Sequence, residues 1–269
     1  MLDRQRPWAA VAWILCASSA FLARAAETPI PKETPKPAAP PTPATAGAKD
    51  EASGIVRMTK DYDLWIDPQR KLVIVDGQVC LREGQLEMFA CPKGSKEHES
   101  IVSVNCKAQF VHAALEAIGA RAGKPVSFDP AYKPASGPII DVYVLWQDEA
   151  GKKNRVRAQE WIKELKSDKA MAHPWVFAGS GFWKDDSTGQ QYYQADGGDL
   201  ICVSNFPSAM LDLPIESTQA NSELLFSAFT ERIPPLGTRV RLELIPRLEQ
   251  KKEAVKGDKQ EPAKQPGPK

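Results

Sequence analysis

The chain of 269 residues is poor in the residue types that most often mark active sites and redox centres. It has only 3 histidines and 5 cysteines, and no two cysteines follow the C-x-x-C spacing. This absence excludes a thioredoxin motif and the zinc-ribbon and ferredoxin cluster patterns. The sequence also lacks a phosphate-binding glycine motif and the G-x-S-x-G motif of serine hydrolases. We therefore predict no cofactor, no metal ligands and no catalytic residues, and we favour a protein that is not an enzyme.

An excess of charge of one sign is also missing. The chain has 35 lysines and arginines against 34 aspartates and glutamates, a formal net charge of +1 at pH 7. This balance excludes a protein that is drawn to nucleic acid or anionic lipid by its overall charge. A hydrophobic fraction of 42% and a charged fraction of 26% are typical of a globular domain.

The one sustained apolar run lies at the start of the chain. Residues 1–26 have the pattern of a secretory signal peptide, in which Arg4 and Arg6 precede the apolar residues and Ala23-Arg24-Ala25 fits a cleavage site. The run is shorter than the about 20 residues that a membrane-spanning helix needs. We predict a cleaved signal and export to the periplasm or cell envelope, with no transmembrane span after cleavage. A signal retained as an anchor is the alternative.

Both ends of the remaining chain have the composition of disordered segments. Residues 27–53 are rich in proline, alanine and threonine without apolar periodicity, which predicts an extended disordered spacer. Residues 248–269 consist largely of lysine, glutamate, proline and glutamine, which predicts a charged disordered tail. Residues 54–247 are left as the globular domain.

Short β-branched segments dominate this domain, and one helix interrupts them. Asn105 is the predicted N-cap of a helix whose apolar stripe includes Val111 and Leu115 and which ends at Gly119. The clearest predicted strands are residues 71–75, 101–104, 139–146 and 239–245. One or two helical turns are predicted at residues 159–166 and a short helix at residues 222–229. We expect an α+β fold in a single domain, with a predominantly antiparallel sheet, one main helix and long irregular loops.

The cysteines that remain after signal removal are Cys80, Cys91, Cys106 and Cys202. Their even number in an exported protein suggests disulfides. A hairpin turn at Glu83-Gly84 would place Cys91 about 13 Å along the strand from the residue facing Cys80, too far for a bridge. The pairs Cys91–Cys202 and Cys80–Cys106 stay open, as do buried free thiols.

The loop that follows Cys91 carries Lys96, His98 and Glu99 between two predicted strands. An imidazole beside a carboxylate can act as a general base or bind a metal, and functional residues concentrate in such loops. A solvated turn or a structural network is the alternative.

Six aromatic residues lie between Trp175 and Tyr193. We predict that Trp183 and Tyr192 face each other across a hairpin whose turn spans residues 185–189. Cross-strand aromatic pairs usually stabilise sheets, so core packing is the favoured interpretation. A platform that stacks a sugar or a peptide is the alternative.

A series of short tracts in this order resembles the YdjY-domain family of exported bacterial proteins, in particular a planctomycete-like form. The tracts cover about residues 62–246 and are Gly84-x-Leu86-Glu87, Gly94-x-Lys96-x-His98-Glu99-Ser100, His112-Ala-Ala-Leu115, Gln159-Glu-Trp161-Ile162, Pro174-Trp-Val-Phe177-x-Gly179-Ser180 and Ala195-Asp-Gly-Gly-Asp199. The resemblance implies one exported domain of unknown function. It also implies one binding surface formed by Lys96, His98, Glu99, Trp175, Gly179, Ser180 and Asp196.

Three functions follow from these observations. The leading hypothesis is an envelope-associated, non-catalytic module that binds a small ligand or an envelope protein. The first alternative is an envelope hydrolase that uses His98 and Glu99 for acid–base or metal-assisted chemistry. The second alternative is a redox protein that works through Cys91 and Cys202.

Overall fold

Short β-branched segments separated by turns dictate most of this fold. The computed structural model describes residues 54–217 and 225–248. Its strands are β1 (Val56–Arg57), β2 (Leu64–Asp67), β3 (Leu72–Val79), β4 (Met88–Pro92), β5 (Ser100–Val104), β6 (Ile139–Gln147), β7 (Lys153–Arg157), β8 (Ile162–Glu164), β9 (Lys169–Ala170), β10 (Trp175–Phe177), β11 (Phe182–Lys184), β12 (Gln191–Tyr193), β13 (Ile201–Cys202), β14 (Leu211–Asp212), β15 (Phe226–Ala228) and β16 (Arg239–Pro246).

The helical segments are short. The α-helix α1 spans Ala108–Ala117, and 3₁₀ turns lie at Glu97–Glu99, Ala158–Trp161, Gln194–Gly197 and Thr230–Arg232. None of the helices in the described ranges is long and apolar enough to cross a membrane.

Eight of the strands close into a barrel. They pair in the order β3, β16, β6, β10, β14, β13, β4 and β5, and β5 pairs again with β3. The pairs β13–β14 and β4–β5 are parallel, and the other pairs around the ring are antiparallel. Closure leaves these strands without free edges, which removes a common route to aggregation.

The barrel closes at a fork in β3. Its first half pairs with β2, whereas Gly77 to Val79 pair with β5. A Cβ atom on Gly77 would lie 2.4 Å from the carbonyl oxygen of Ser103 in β5. The absence of a side chain at position 77 therefore permits the close approach of β5 to β3.

The expectation of an α+β fold with a predominantly antiparallel sheet and one main helix is wrong. The protein is mostly β, with a closed barrel and a helix of only 10 residues among the residues described. Periodicity indicates where strands lie, but not that β5 returns to β3 to close a ring. The predicted helix itself is confirmed, and Val111, Ala114 and Leu115 lie in the main core.

Three local predictions are also corrected. The expected helical turns at residues 159–166 are a 3₁₀ turn followed by β8. A short helix is expected at residues 222–229, but Phe226–Ala228 form the strand β15. Residues 218–224 lie outside the described ranges. The hairpin expected at Glu83-Gly84 does not form, because β4 pairs with β5 and Gln85 bridges to Ser227.

Large aromatic side chains fill the main core. Trp161, Trp175, Phe89, Phe177 and Phe226 are all fully buried. Phe89 contacts both tryptophans, with ring centroids 5.7 Å from Trp175 and 6.5 Å from Trp161. Burying such a side chain stabilises a fold by about 1.5–3 kcal/mol. This packing anchors β10, and with it the segment that carries Gly179 and Ser180.

Candidate functional site

Lys96 lies at the centre of a group of carboxylates. Its Nζ atom is 3.1 Å from Oδ1 of Asp199, 3.5 Å from Oε1 of Glu99 and 4.0 Å from Oε2 of Glu87. The hydroxyl of Ser208 donates a hydrogen bond to the second oxygen of Asp199. We call these five residues the Lys96 network. Residues 87–99 and residues 199–208, two stretches far apart in sequence, thus meet around one ammonium group.

The hydrocarbon part of the Lys96 side chain is held in place as well as its ammonium group. It runs across Gly198, where a Cβ atom would lie 2.5 Å from Cγ and Cδ of the lysine. The Nζ atom lies 4.6 Å from the ring centroid of Phe206, within the range of a cation–π interaction. The ammonium group therefore has a fixed position, in contrast to an ordinary surface lysine.

Burial and charge act in opposite directions in this network. Burial by itself would lower the pKa of Lys96, but Asp199, Glu99 and Glu87 together raise it, so the lysine is protonated at neutral pH. Burial raises the pKa of Glu87, and the neighbouring Glu99 adds to the rise. A protonated lysine fixed by three carboxylates is a structural ion network, and it lacks the free amine that a lysine nucleophile needs.

His98 extends away from this network into solvent. Its side chain is 76% exposed, and its Nε2 atom lies 3.8 Å from Oε2 of Glu99. That separation is too long for a hydrogen bond. A general base requires a partner within reach and a site that holds a substrate. Glu99 therefore does not hold the His98 imidazole in a hydrogen bond, and this exposed side chain lends no support to hydrolysis.

A second polar group connects to the first through Ser208. The Ser180 hydroxyl donates to the Ser208 carbonyl at 2.7 Å and accepts from the Ala195 backbone amide at 3.1 Å. The Tyr193 hydroxyl donates to the Gly179 carbonyl at 3.0 Å. These bonds tie the segment after β10 to both β12 and the Lys96 network.

His112 on α1 completes this second group. Because the Tyr193 hydroxyl donates to Gly179, Nδ1 of His112 is the donor in its 2.9 Å contact with that hydroxyl. The imidazole also packs edge-on against Phe177, with ring centroids 4.8 Å apart. Burial lowers the pKa of His112, although Glu116 opposes the change. His112 is therefore a neutral packing residue at pH 7.

Asp196 caps α1 from a distant part of the chain. Its Oδ1 atom accepts the backbone amide of Gln109 at 3.0 Å, and Oδ2 accepts the Gln109 side chain at 3.0 Å. Residue Lys107 stands at the N-cap position without a side-chain capping bond, and the predicted cap Asn105 instead bonds Asp63. The capping of α1 is tertiary, which explains why the expected local cap is wrong.

The residues of the predicted surface thus occupy different depths. Lys96, His98 and Glu99 lie together, and Gly179, Ser180 and Asp196 lie in the adjoining hydrogen-bonded groups. Trp175 is fully buried, and its indole Nε1 donates to the Cys202 carbonyl at 2.7 Å. Sequence reasoning missed Glu87 and Asp199 as partners of Lys96, and Ser208 as the partner of Asp199. Glu87 and Asp199 stand in two of the tracts that resemble the YdjY-domain family, which was the available signal for both.

Asp212 lies near this polar region on β14. Its Oδ1 atom accepts hydrogen bonds from the Asn205 side chain at 3.1 Å and from the Leu213 backbone amide at 2.8 Å. Burial nevertheless raises the pKa of Asp212 to about 7. The carboxyl group is therefore near its titration midpoint under physiological conditions.

The hairpin of β11 and β12 presents aromatic side chains to solvent. Phe182 is 64% exposed, Trp183 48% and Tyr192 37%. Trp183 faces Tyr192 as predicted, and their rings stack with centroids 4.8 Å apart and an interplanar angle of 18°. We call this element the aromatic hairpin. Core packing, the favoured interpretation of these three side chains, is wrong, because the two strands form their own small sheet beside the barrel.

The base of the aromatic hairpin is fixed to the barrel. Tyr193 is buried and bonds Gly179, while the Phe182 ring lies 5.1 Å from the Tyr193 ring. The backbone amide of Gln194 donates to the Gly181 carbonyl at 2.9 Å. At the tip, Oδ1 of Asp185 accepts the Ser187 amide at 2.8 Å, which orders the turn. The exposed aromatics therefore stand on an anchored support.

An open polar groove of about 580 Å³ lies at the fork of β3. Its lining includes Gln78, Lys93, Ser103, Asn105 and Arg239. None of the residues of the predicted surface lines this groove. Within the part of the chain that is described, no cluster of three or more histidine, cysteine, aspartate or glutamate side chains is arranged to hold a metal ion.

The four cysteines of the barrel are free thiols. Cys202 is fully buried with Met88 and Ala209, and the register of β13 with β4 places it opposite Met88. Cys91 is three residues further along β4, about 10 Å away at the rise of a strand. The Cys80 thiol donates a hydrogen bond to the Ser100 carbonyl at 3.0 Å, and Cys91 lies on the other side of β5, in register with Ser103. The argument against a Cys80–Cys91 bridge assumed a hairpin that does not form, but both cysteines are free thiols.

Comparison with known proteins identifies a family. A family model described as the YdjY domain matches residues 64–244. The matched segment begins in β2 and ends in β16, so it covers the entire barrel. No curated protein and no solved structure matches the chain.

Proposed function

The chain belongs to the YdjY-domain family, and from its geometry we propose that the barrel is a non-catalytic module that binds a protein partner at the cell envelope. The observation that carries this proposal is the exposure of Phe182, Trp183 and Tyr192 on one anchored hairpin. Clustered exposed aromatic side chains on a protein surface commonly mark an interaction site.

The shape of the aromatic hairpin favours a protein over a small ligand. Small-molecule sites are usually concave and enclose most of the ligand. Here residues 182–184 and 186–192 are exposed along both strands and the turn. The aromatic side chains therefore lie on an exposed hairpin. Tryptophan and tyrosine are the residues that most often dominate the binding energy of protein interfaces.

The anchoring of the hairpin adds to this argument. Tyr193 holds one strand to Gly179, and the Ser187 amide bonds Asp185 at the tip. A rigid aromatic pair loses little conformational entropy when a partner covers it, which leaves more of the contact energy for affinity. The aromatic hairpin is thus suited to serve as the centre of an interface.

The alternatives have weaker support. Hydrolysis would need a substrate site at His98, but this side chain is 76% exposed and not hydrogen-bonded to Glu99. Redox chemistry between Cys91 and Cys202 would need two thiols in reach of each other, and Cys202 lies fully buried opposite Met88. Envelope location rests on the predicted signal at residues 1–26, which lie outside the described ranges.

Site-specific photo-crosslinking tests the proposal. A photo-reactive amino acid is placed at Trp183, and the full chain is expressed in a bacterium that encodes it. The matched control carries the same amino acid at Leu236, an apolar residue that is 63% exposed elsewhere on the barrel. We expect one defined protein to be crosslinked from position 183 and not from position 236.

Affinity with that purified partner gives the decisive measurement. Trp183→Ala should weaken binding by at least about tenfold, and Leu236→Ala should leave it within about twofold. Crosslinking to a second copy of the chain, or equal binding by both variants, would overturn the proposal. Fractionation of the cells and the mass of the mature chain test export separately, since cytoplasmic chain with residues 1–26 intact would exclude it.

A further inference from the structure

We propose that the groove at the fork of β3 binds an acidic sugar, a small ligand that carries hydroxyl groups together with a carboxylate or phosphate group. None of the residues that line this groove belongs to the aromatic hairpin or to the Lys96 network. The inference therefore goes beyond the proposed protein partner and does not depend on it.

Strand pairing sets the positions of the residues that line the groove. Arg239 of β16 is in register with Gln78 of β3, and Gln78 is in register with Ser103 of β5. Lys93 follows β4 on the far side of β5, where its backbone amide donates to the Val104 carbonyl at 2.9 Å. Arg239 and Lys93 are thus three strand spacings apart, about 14 Å along the sheet. Gln78 and Ser103 lie between these two cations.

The two carboxylates that line the groove are already paired. Both oxygens of Asp76 accept hydrogen bonds from the Arg241 guanidinium, at 2.7 and 2.9 Å. One oxygen of Asp63 lies 3.3 Å from the guanidinium of Arg57, and the other accepts the side-chain amide of Asn105 at 3.3 Å. The negative charges of the groove are therefore balanced by these partners.

Lys93 and Arg239 carry the charge that is left over. Both residues are exposed and line the groove, and within residues 54–217 and 225–248 neither side chain has an ion pair or a hydrogen bond. Two cations on opposite sides of a groove attract an anion into it. Their N–H groups can then form charge-assisted hydrogen bonds with a carboxylate or a phosphate, which are stronger than bonds between neutral groups.

The neutral residues of the lining favour a sugar over an apolar anion. Gln78, Ser103 and Asn105 contribute amide and hydroxyl groups, and the Gln78 side chain makes no hydrogen bond in the described part of the chain. An apolar ligand would remove water from such groups without replacing its hydrogen bonds, whereas sugar hydroxyls can replace them. The volume of about 580 Å³ also lies within the range of about 300–1,000 Å³ that is typical of small-molecule sites.

Titration of the isotope-labelled full chain tests the proposal by NMR. The probes are glucuronate, glucose 6-phosphate, glucose and inorganic phosphate, at constant ionic strength. We expect at least one of the two acidic sugars to shift the backbone amide signals of Gln78, Lys93 and Asn105 in a saturable manner. Glucose and inorganic phosphate should each bind at least about tenfold more weakly, because glucose lacks the charge and phosphate lacks the hydroxyl groups. The two acidic sugars distinguish a carboxylate ligand from a phosphate ligand.

Substitutions of the two cations sharpen this experiment. Lys93→Ala and Arg239→Ala should each weaken the binding of the acidic sugar by at least about tenfold, since each removes a charge-assisted contact. Lys169→Ala is the matched control, because it removes the same charge from an exposed lysine of β9 that does not line the groove. This control should leave the affinity within about twofold. All three side chains are exposed, so the melting temperatures should stay close to that of the wild type.

Several results would overturn the proposal. One is the absence of saturable shifts with both acidic sugars. Another is equal affinity for glucose or for inorganic phosphate, which would mean that charge and hydroxyl groups are not recognised together. Equal affinities of the Lys93→Ala and Lys169→Ala variants would show that the groove does not supply the contacts. None of these results would bear on the protein partner of the aromatic hairpin, which the crosslinking experiment tests by itself.

Discussion

In the Lys96 network charged side chains are largely buried, whereas in the aromatic hairpin apolar side chains are exposed. Each region thus shows the opposite of the usual environment of its residues. Lys96 and Asp199 are charged residues whose side chains are only 27% and 10% exposed, and they pair at 3.1 Å. Trp183 and Phe182 are apolar residues that the fold leaves 48% and 64% exposed. The residues with obvious chemistry are thus used for structure, and the residues typical of a core are available for contact.

This contrast teaches how to weigh a charged loop in a sequence. A lysine surrounded by three carboxylates is costly to desolvate, and its attraction to the carboxylates offsets that cost. An exposed aromatic pair, in contrast, loses its water only when another surface covers it, so its burial remains available as binding energy.

The buried polar region should differ most from the hairpin in its response to pH. Burial raises the pKa of Asp212 to about 7, above the value of about 3.9 expected in the unfolded chain. The favourable contribution of the protonated acid is fully present below pH 4 and is lost as the pH rises to 7, a change on the order of 4 kcal/mol. Asp212→Asn should therefore melt higher than the wild type at pH 8 and at a similar temperature at pH 4.

Asp185 at the hairpin tip provides the contrast of opposite sign. Hydrogen bonds from Ser187 lower the pKa of Asp185, so its contribution is present above pH 4 and is lost on acidification. Asp185→Asn should make stability less dependent on pH in the acid range and leave its pH dependence at higher pH unchanged.

The Asp212 prediction has its own contradicting outcome. Identical pH profiles for Asp212→Asn and the wild type would show that Asp212 is not a strained buried acid.

Removal of Lys96 tests whether its network is structural. Lys96→Ala leaves Asp199, Glu87 and Glu99 without their shared cation, and we expect the free energy of unfolding to fall by about 2–3 kcal/mol. Urea denaturation measures the change. The control is Lys93→Ala, an exposed lysine of the same loop, which should change stability by less than about 0.5 kcal/mol. Equal effects of both substitutions would mean that the network does not stabilise the barrel.

Gly198 offers a smaller change in the same network. Gly198→Ala places a Cβ atom 2.5 Å from the Lys96 stem, at a backbone φ of +142° that other residues rarely adopt. We expect a loss of about 1–2 kcal/mol, because either the stem or the loop must move. Gly197→Ala is the matched control, since a Cβ atom there meets no neighbour within 4 Å. Similar melting temperatures for both variants would contradict the close contact between Lys96 and Gly198.

Truncation of the aromatic hairpin should affect binding far more than stability. Trp183→Ala removes the stacked contact with Tyr192, which we expect to lower the free energy of unfolding by about 1 kcal/mol or less. Chemical denaturation checks this value beside the binding assay with the crosslinked partner. A loss of several kcal/mol would reveal that Trp183 supports the fold, and the comparison between the two regions would fail.

His98 should show the smallest effect. His98→Ala removes a side chain that is 76% exposed, so stability should change by less than about 0.5 kcal/mol. Partner binding at the aromatic hairpin should be retained as well. A variant that folds normally but loses a hydrolytic activity of the wild type would restore the acid–base alternative.

Local sequence signals located individual elements well where neighbouring residues decide the structure. The apolar stripe of Val111 and Leu115 predicted α1, and the spacing around residues 185–189 correctly paired Trp183 with Tyr192. Neither signal could supply the partners that come from far along the chain. Asp196 caps α1 from 88 residues beyond Ala108, and Asp199 reaches Lys96 from a similar distance.

The cysteines show that an error in one strand pairing changes the predicted positions of other residues. A hairpin at Glu83-Gly84 would have separated Cys80 from Cys91, and on that basis the pair was disfavoured. In the barrel, β3 and β4 do not pair with each other but flank β5. The two cysteines therefore lie on opposite sides of β5, an arrangement that residue spacing cannot reveal.

The sequence by itself determined the family, the position of most strands of the barrel and the site of its helix. These features depend on the order of residue types and on the alternation of apolar side chains, which act between neighbours in the chain. Only the tertiary structure decided that β5 returns to β3, that Lys96 meets Asp199 and that Trp183 stands in solvent. Such contacts depend on the closure of the whole ring, because burial of a side chain is settled by every strand that packs around it and not by its own segment.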